Sequence, residues 1–269
     1  MMTTDIEILR NLLQLLENGK RAALSIIIEK KGSGPREPGA KMVVSEDGQT
    51  FGTIGGGNLE RIIINESLDA IKQDKPKKVV LSLSNKTKNN EAMNTGLICG
   101  GELTIFIDVT KPNLKLILIG AGHVSHSLAK MADMLGFDII VVDDNAQLAS
   151  KERFPMAKKI ITGNFNNILD NLEISTEDFV VIAHGEPEHD YLALEKIIKK
   201  KPAYVGLLGS EAKKLALLKR LGEAGIDKND LKPLHAPVGL DINAQTPEEI
   251  AVSILAEIIR ERRKSLSKS

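Results

Sequence analysis

The chain has 269 residues, which is enough for two compact domains or one large one. Its 36 basic residues balance 36 acidic residues, and with six Phe, two Tyr and no Trp it lacks both the charge and the stacking platforms of a general nucleic-acid binder. A single cysteine excludes an intramolecular disulfide framework, and no apolar run approaches the length of a membrane span, so we expect a soluble, cytoplasmic protein without a membrane partner.

Residues 1–110 are predicted to form an N-terminal mixed α/β domain with antiparallel strands. Apolar residues at helical spacing predict helices over residues 5–18 and Asn58–Gln73. Strand patterns lie, in chain order, at Ala22–Glu29, Lys41–Ser45, Phe51–Ile54, Lys78–Ser84 and Glu102–Val109. Between the second and third strands, Glu46–Gln49 has the composition of a hairpin turn, which favours antiparallel pairing.

Residues 114–269 are predicted to form a Rossmann-like domain, and Thr110-Lys-Pro-Asn113 marks the boundary before it. Strands are predicted near residues 114–119, 138–143, 158–162, 178–183 and 203–208, and helices near residues 123–135, 187–200 and 210–223. This alternation is typical of a doubly wound parallel sheet that is covered by helices on both faces. Thr246-Pro-Glu-Glu249 has the form of a capping box and predicts a last helix that runs to about Arg262.

The most informative motif is Gly120-Ala-Gly122, which follows an apolar strand pattern and precedes a helical one. Gly120 permits a tight turn, Gly122 allows a pyrophosphate to approach the backbone, and Asp143 is placed to bind ribose hydroxyls. The third glycine of the dinucleotide-binding fingerprint is replaced by Ser125. The motif predicts a nucleotide or phosphate site, although a Rossmann fold with an empty or repurposed crevice fits the same pattern.

A second glycine-rich loop, Gly52–Glu60, contains Gly55, Gly56 and Gly57 in succession. Such a run suggests either a close approach to a phosphate or a pterin edge, or a tight turn in which Glu60 complements the dipole of the following helix. Lys31–Ala40 is predicted to be a loop, and its Arg36 is a candidate donor to a phosphate or carboxylate.

Cys99 lies at the end of a long polar loop, Asn85–Gly101, and is followed by two glycines. An accessible thiolate at this position could attack or carry sulfur, or bind a soft metal. The alternative is a buried cysteine that acts as a small apolar side chain.

The histidines give a weaker metal signal. His123, His184, His189 and Asp190 could converge at the carboxyl ends of the strands, but their spacing is not that of a recognised zinc site. A further turn before a predicted helix could bring Ser210 and Lys213 near an anion.

Several of these segments together carry a family resemblance. They are Gly32–Met42, Gly52–Glu60, Cys99–Gly101, Gly120–Val124, Tyr204–Ser210 and Ala236–Ile242 with Thr246–Glu257. In this order they resemble the XdhC/CoxI family of molybdoenzyme accessory proteins. The resemblance implies an N-terminal α/β domain before a Rossmann-type domain, and a protein that binds molybdenum cofactor, protects it while its terminal sulfur is installed, and delivers it to xanthine dehydrogenase or a related hydroxylase.

The resemblance also implies roles for particular residues and partners. Cys99 matches the family's functional cysteine and would contact the sulfur or the molybdenum. Candidate cofactor-binding residues are Arg36, Gly55, Gly56, Gly57, Glu60, Gly120, Gly122, His123, Asp143 and Ser210. A homodimer is expected, with a molybdenum hydroxylase and a cysteine desulfurase as partners. Asn145 and Glu211 depart from the family pattern of basic residues and weaken the case for a strongly phosphate-binding crevice.

A cofactor chaperone, and not a turnover enzyme, is therefore the expected function. Two alternatives remain open at this point. One is an NAD(P)-dependent oxidoreductase in which His123 or His184 handles protons, and the other is a regulatory protein whose crevice senses a redox nucleotide.

Overall fold

A computed structural model describes residues 4–83, 93–94, 100–227 and 229–266. The chain divides into two compact units, Met1–Pro112 and Asn113–Ser269. Cys99 lies outside the described residues. Among the helices that are described, none is both long enough and apolar enough to cross a membrane.

The first unit is a mixed α/β unit built on one six-stranded sheet. Its helices are α1 (Asp5–Glu17) and α2 (Gly57–Gln73), and its strands are β1 (Ala22–Lys31), β2 (Lys41–Ser45), β3 (Thr50–Gly52), β4 (Lys77–Ser82), β5 (Met93–Asn94) and β6 (Glu102–Thr110). The sheet order is β3-β2-β1-β6-β4-β5. The predicted antiparallel pairing is confirmed for β1, β2, β3, β4 and β6, whereas β5 pairs parallel to β4.

The two helices of this unit pack on opposite faces of the sheet because side chains alternate along each strand. On β2, Met42 and Val44 belong to the apolar cluster under α2, and Val43 belongs to the cluster under α1. A buried hydrogen bond of 3.0 Å between the hydroxyls of Ser25 and Ser67 joins β1 to α2. These contacts hold α2 against the sheet, and the triple-glycine loop lies at the start of this helix.

The described part of the second unit has six parallel strands and five helices. The strands are β7 (Lys115–Ile119), β8 (Asp138–Asp143), β9 (Lys159–Thr162), β10 (Phe179–Ile182), β11 (Tyr204–Leu207) and β12 (Leu234–His235). The helices are α3 (His123–Met134), α4 (Phe165–Asn171), α5 (Pro187–Ile198), α6 (Glu211–Glu223) and α7 (Pro247–Leu266). The sheet order is β12-β11-β10-β7-β8-β9, which is the Rossmann order with its switch point between β7 and β10.

Two apolar clusters cover the two faces of this parallel sheet. On β7, Leu116 and Leu118 join the cluster that contains Leu128 of α3 and Ile254 of α7, and Ile117 and Ile119 join the cluster on the other face. The predicted doubly wound sheet is thereby confirmed. Strands buried on both faces leave only their carboxyl ends and the loops that follow them to form a site.

The structure adds elements that the sequence analysis did not predict. Helix α4 lies between β9 and β10, where the side chain of its N-cap residue Asn164 accepts a hydrogen bond from the Asn167 N–H at 3.2 Å. Phe165, Ile168 and Leu169 are its buried residues. Its seven residues give too short a pattern to stand out in the sequence. Strand β12 has only two residues and is defined by its pairing with β11.

Candidate functional site

The candidate site in the second unit is a crevice at the carboxyl ends of β7, β8 and β10. It encloses ≈ 320 Å³ and is lined by Gly122, Asp143, Asp144, Asn145, Leu148, His184 and Glu186. This is the position at which open α/β sheets bind their ligands. Three of the lining side chains are acidic, and none of these seven described residues is Lys or Arg.

Gly120 is required by a close contact between the ends of two strands. Its φ is +102°, and a Cβ at this position would lie 2.5 Å from the backbone of Ala183 and from the Cα of His184. No side chain fits at that separation, so glycine alone allows β7 to end against β10. Gly122 differs: its φ is −69°, and no described atom lies within 4 Å of where its Cβ would be. A side chain at Gly122 would therefore point into open space at the crevice.

The turn between these glycines is held from two sides through Ala121. The Ala121 N–H donates to Asp143 Oδ2 at 2.6 Å, and the Asn145 N–H donates to Asp143 Oδ1 at 2.8 Å. On the other side, Arg153 Nη1 donates to the carbonyl oxygens of Ala121 at 2.9 Å and Leu148 at 2.8 Å. Asp143 is buried and binds the backbone of its own loop. Its predicted contact with ribose hydroxyls stays a prediction.

The first turn of α3 carries two further residues of the predicted site. His123 is the first helical residue and is exposed. Ser125, at the third position of the fingerprint, is fully buried, and within the described part of the chain its hydroxyl has no hydrogen-bond partner. A small residue at this position therefore serves the close packing of α3.

Ser210 is the N-cap residue of α6, where its side chain accepts a hydrogen bond from the Lys213 N–H at 3.3 Å. The Lys213 ammonium donates to the carboxylate of Asp190 and, at 3.0 Å, to the carbonyl oxygen of Leu208. The hydroxyl of Ser210 thus caps a helix, and Lys213 neutralises a buried acid. Their predicted contact with an anion stays a prediction.

Two histidines and one carboxylate form a compact cluster beside the crevice, the Asp144–His184–His189 cluster. His184 follows β10, and His189 lies in the first turn of α5. Their rings stack with centroids 4.4 Å apart and an interplanar angle of 7°. Asp144 Oδ1 lies 3.2 Å from His184 Nε2, and Asp144 Oδ2 lies 3.3 Å from His189 Nε2.

The predicted proximity of His184 and His189 is confirmed, but the predicted third member, Asp190, is not part of the cluster. Asp190 is fully buried, accepts the His184 N–H at 3.2 Å and pairs with Lys213. On a helix, Asp190 is rotated by about 100° from His189 and so faces the interior of the unit. Asp144 takes its place, and His123 is not a member of the cluster.

Two opposing effects determine the charge state of Asp144. Partial burial raises the pKa of this carboxyl, but the hydrogen bond with His184 and the electrostatic attraction of both imidazole rings outweigh it and hold the pKa below its ordinary value. Phe165 packs against both rings, with centroid separations of 5.1 Å to His184 and 4.6 Å to His189. The cluster is thus held in place by an aromatic ring from the unpredicted helix α4.

In the first unit, three glycine motifs pack against one another. A Cβ on Gly55 would lie 2.5 Å from Cγ of Pro35, and a Cβ on Gly101 would overlap the carbonyl oxygen of Ser33. The Lys31–Ala40 loop therefore lies against both the triple glycine and the Gly100–Gly101 pair that follows Cys99. We call this arrangement the glycine cluster. The sequence identified its parts but did not show that they meet.

Glu60 occupies the inner side of the triple-glycine loop. Its Oε1 accepts hydrogen bonds from the N–H groups of Ile54 at 3.2 Å and Gly56 at 2.9 Å, and from the Thr53 hydroxyl. These contacts favour the interpretation of Glu60 as a residue that stabilises a tight turn. Gly56 and Gly57 have φ values of +81° and +61°, and no described atom lies within 4 Å of where a Cβ would be on either residue, so their outer side is open. An external ligand at that side stays a prediction.

Of the two remaining predicted site residues, the structure describes Arg36 but not Cys99. Arg36 is half-buried, and across the described ranges no hydrogen-bond or ion-pair partner of its guanidinium is found. Cys99 is outside those ranges, so its predicted contact with sulfur or molybdenum rests on the sequence.

The strand order and the glycine turn define the second unit as a Rossmann-type domain. Residues 116–258 match the XdhC Rossmann domain, and residues 15–83 match the XdhC and CoxI family. The chain belongs to the XdhC and CoxI family, as its motifs predicted.

Three curated relatives have sequences similar to this chain. An uncharacterized protein of Escherichia coli (strain K12), YqeB, is 39% identical over 239 residues, which cover 88% of this chain and 43% of YqeB. A probable xanthine dehydrogenase subunit of Bacillus subtilis (strain 168) is 34% identical over 160 residues, which cover 60% of this chain and 46% of that protein. The chain thus spans less than half the length of these two relatives.

The third relative is the molybdenum cofactor insertion chaperone PaoD of Escherichia coli (strain K12). It is 23% identical over 296 residues, and the match covers 93% of this chain and 86% of PaoD. The names of these relatives lend no support to the NAD(P)-dependent alternative.

The two glycines of the crevice turn should respond differently to the same substitution. Gly120→Ala introduces a Cβ at a positive φ and against the backbone of β10, so we expect it to reduce the free energy of unfolding by roughly 2–5 kcal/mol. Gly122→Ala is the matched control and should cost less than about 1 kcal/mol, because its backbone is unstrained and its Cβ meets open space. Urea unfolding of both variants measures the difference, and equal effects would contradict the proposed role of Gly120.

Proposed function

We propose that this protein is a cytoplasmic molybdenum cofactor chaperone, which binds the cofactor, supports its sulfuration and delivers it to xanthine dehydrogenase or a related molybdenum hydroxylase. The observation that carries the proposal is the similarity to a molybdenum cofactor insertion chaperone, which extends over 93% of this chain and 86% of that protein. The similarity to a probable xanthine dehydrogenase subunit supports the class of client enzyme.

The glycine cluster is the proposed binding surface for the pterin and its phosphate. Its support is that three motifs far apart in the sequence pack together, and that Gly56 and Gly57 keep an open outer side. Arg36 lies in the same loop as Pro35, which packs on Gly55. Its guanidinium has no partner among the described residues and is proposed to bind an anionic group. Glu60 shapes the loop from within and is proposed to act on the cofactor only through the backbone.

Cys99 is proposed to contact the sulfur or the molybdenum of the cofactor. Because it is the only cysteine in the chain, Cys99→Ser removes every thiol, and any thiol chemistry of the protein belongs to this residue. We expect the variant to keep its melting temperature but to retain less than about a tenth of the molybdenum and pterin that the wild-type protein carries when purified from cells that make the cofactor.

Two measurements separate this role from a structural one. Metal analysis and fluorescence of the oxidised pterin report cofactor content, and activation of a cofactor-free hydroxylase reports delivery. A large fall in melting temperature would assign Cys99 to the core. Full cofactor content and full activation in the variant would remove it from the site.

The crevice of the second unit is proposed to bind a phosphate-bearing ligand at the start of α3, where helix N–H groups face the ligand. Gly122→Val would place a branched side chain in this space, and we expect the affinity for such a ligand to fall at least about tenfold while the unit stays folded. Isothermal titration with ADP and with inorganic pyrophosphate tests this, with Gly122→Ala as the control of smaller volume. Unchanged affinity in a folded Gly122→Val variant would exclude the crevice as the site.

The proposed partners are a molybdenum hydroxylase, a cysteine desulfurase as the source of sulfur, and a second copy of this chain. On α1, the apolar side chains of Ile6, Leu9 and Leu13 are 63%, 46% and 56% exposed, which supports burial against another protein surface. We expect light scattering at micromolar concentration to give about twice the chain mass of 29.3 kDa. Leu9→Glu on this face should lower that mass, whereas a wild-type protein that is only monomeric would contradict the dimer.

A further inference from the structure

We propose that Asp144, His184 and His189 form a binding site for a divalent transition-metal ion, with zinc as the best chemical match. This inference does not depend on the proposed function, because it concerns only the side chains of the second unit. Two imidazoles and one carboxylate are a common set of protein ligands for zinc when the fourth position is left to water or substrate. Their ligand atoms all lie within 4.8 Å of one another.

The separations between the carboxylate oxygens and the ring nitrogens are those of ligands on one ion. The two oxygens of Asp144 lie 3.2 Å from His184 Nε2 and 3.3 Å from His189 Nε2. Ligands at zinc–nitrogen and zinc–oxygen distances of about 2.0–2.1 Å in a tetrahedron are about 3.3–3.4 Å apart. Because the two rings are nearly parallel, one of them must turn toward the other before both Nε2 lone pairs point at the same ion.

A second carboxylate lies at the other ring nitrogen of His189. Glu186 Oε2 is 3.0 Å from His189 Nδ1 and is placed to accept a hydrogen bond from it when an ion binds Nε2. On the other side of the ring, His189 Nε2 faces Asp144 Oδ2 at 3.3 Å, and a metal ion between these two atoms would bind a lone pair of each. Hydrogen bonding of the second ring nitrogen to a carboxylate is the usual arrangement around metal-binding histidines.

His184 is the buried anchor of the proposed site. Its side chain is 8% exposed, and within the described residues its Nδ1 is buried without a hydrogen-bond partner. A buried nitrogen without a hydrogen-bond partner destabilises the folded state. The orientation of the ring is therefore set by other contacts and not by hydrogen bonding of Nδ1. Stacking on His189 and contact with Phe165 instead hold Nε2 toward Asp144.

The charge of the crevice supports an ion at this position. Asp144 and His184 are themselves lining residues, so the open coordination positions of a bound ion would face the crevice. The same lining contains two further acidic residues, Asp143 and Glu186. A bound dication would offset these negative charges and allow an oxyanion, such as a phosphate oxygen, to complete the coordination.

Zinc titration of the whole protein tests the site. After removal of metal with EDTA, competition with a chromophoric chelator should show one zinc ion per chain with micromolar affinity or better. Asp144→Asn and His189→Gln should each weaken binding by at least roughly 100-fold, and Glu186→Gln by about 10- to 100-fold, because it only orients a ligand. His126→Gln is the matched control: His126 packs on Phe154, away from the cluster, and its loss should leave zinc affinity unchanged.

The same titration in a Cys99→Ser background separates this site from the thiol. Retained zinc binding there supports the cluster, and its complete loss would assign the ion to Cys99 and overturn the proposal. Absence of stoichiometric zinc binding by the wild-type protein at about 100 µM zinc, an excess of about 100-fold over a micromolar dissociation constant, would also overturn it.

Discussion

The backbone contact between the end of β7 and the end of β10 is the constraint on which the second unit depends. Gly120 allows this contact because any Cβ would meet the backbone of Ala183 and His184 at 2.5 Å. The contact brings the glycine turn and His184 to the same edge of the sheet. It also places the start of α3 beside the crevice. Most of the candidate site therefore depends on the lack of a side chain at Gly120.

Neighbouring residues of similar chemistry have separate roles in this crevice. Asp143 faces inward and binds the backbone of Ala121 and Asn145, whereas Asp144 is 40% exposed and faces the histidines. His189 reaches the cluster while Asp190 turns inward to Lys213. Successive side chains on a strand point in opposite directions, and those on a helix are about 100° apart, which separates structural carboxylates from accessible ones.

The glycine cluster of the first unit shows a similar division. Gly55 and Gly101 are needed for close approach of the Lys31–Ala40 loop, since side chains there would meet Pro35 or Ser33. Gly56 and Gly57 have positive φ values, but none of the described atoms lies within 4 Å of where their Cβ atoms would be. The first pair explains how the motifs pack, and the second pair leaves the backbone accessible to a flat or charged ligand, in accord with the proposed binding of a pterin phosphate.

The sequence by itself determined the two α/β units, the parallel sheet, the glycine turn at Gly120 and the family, because strand and helix patterns and glycine motifs are local. It also placed His184 and His189 at strand ends that share one edge of the sheet. Only the tertiary structure decided that Asp144 and not Asp190 joins them, that Arg153 holds the turn, and that Phe165 packs on both rings. These outcomes depend on which way each side chain points and on contacts between distant segments, and neither leaves a periodic signal in the chain.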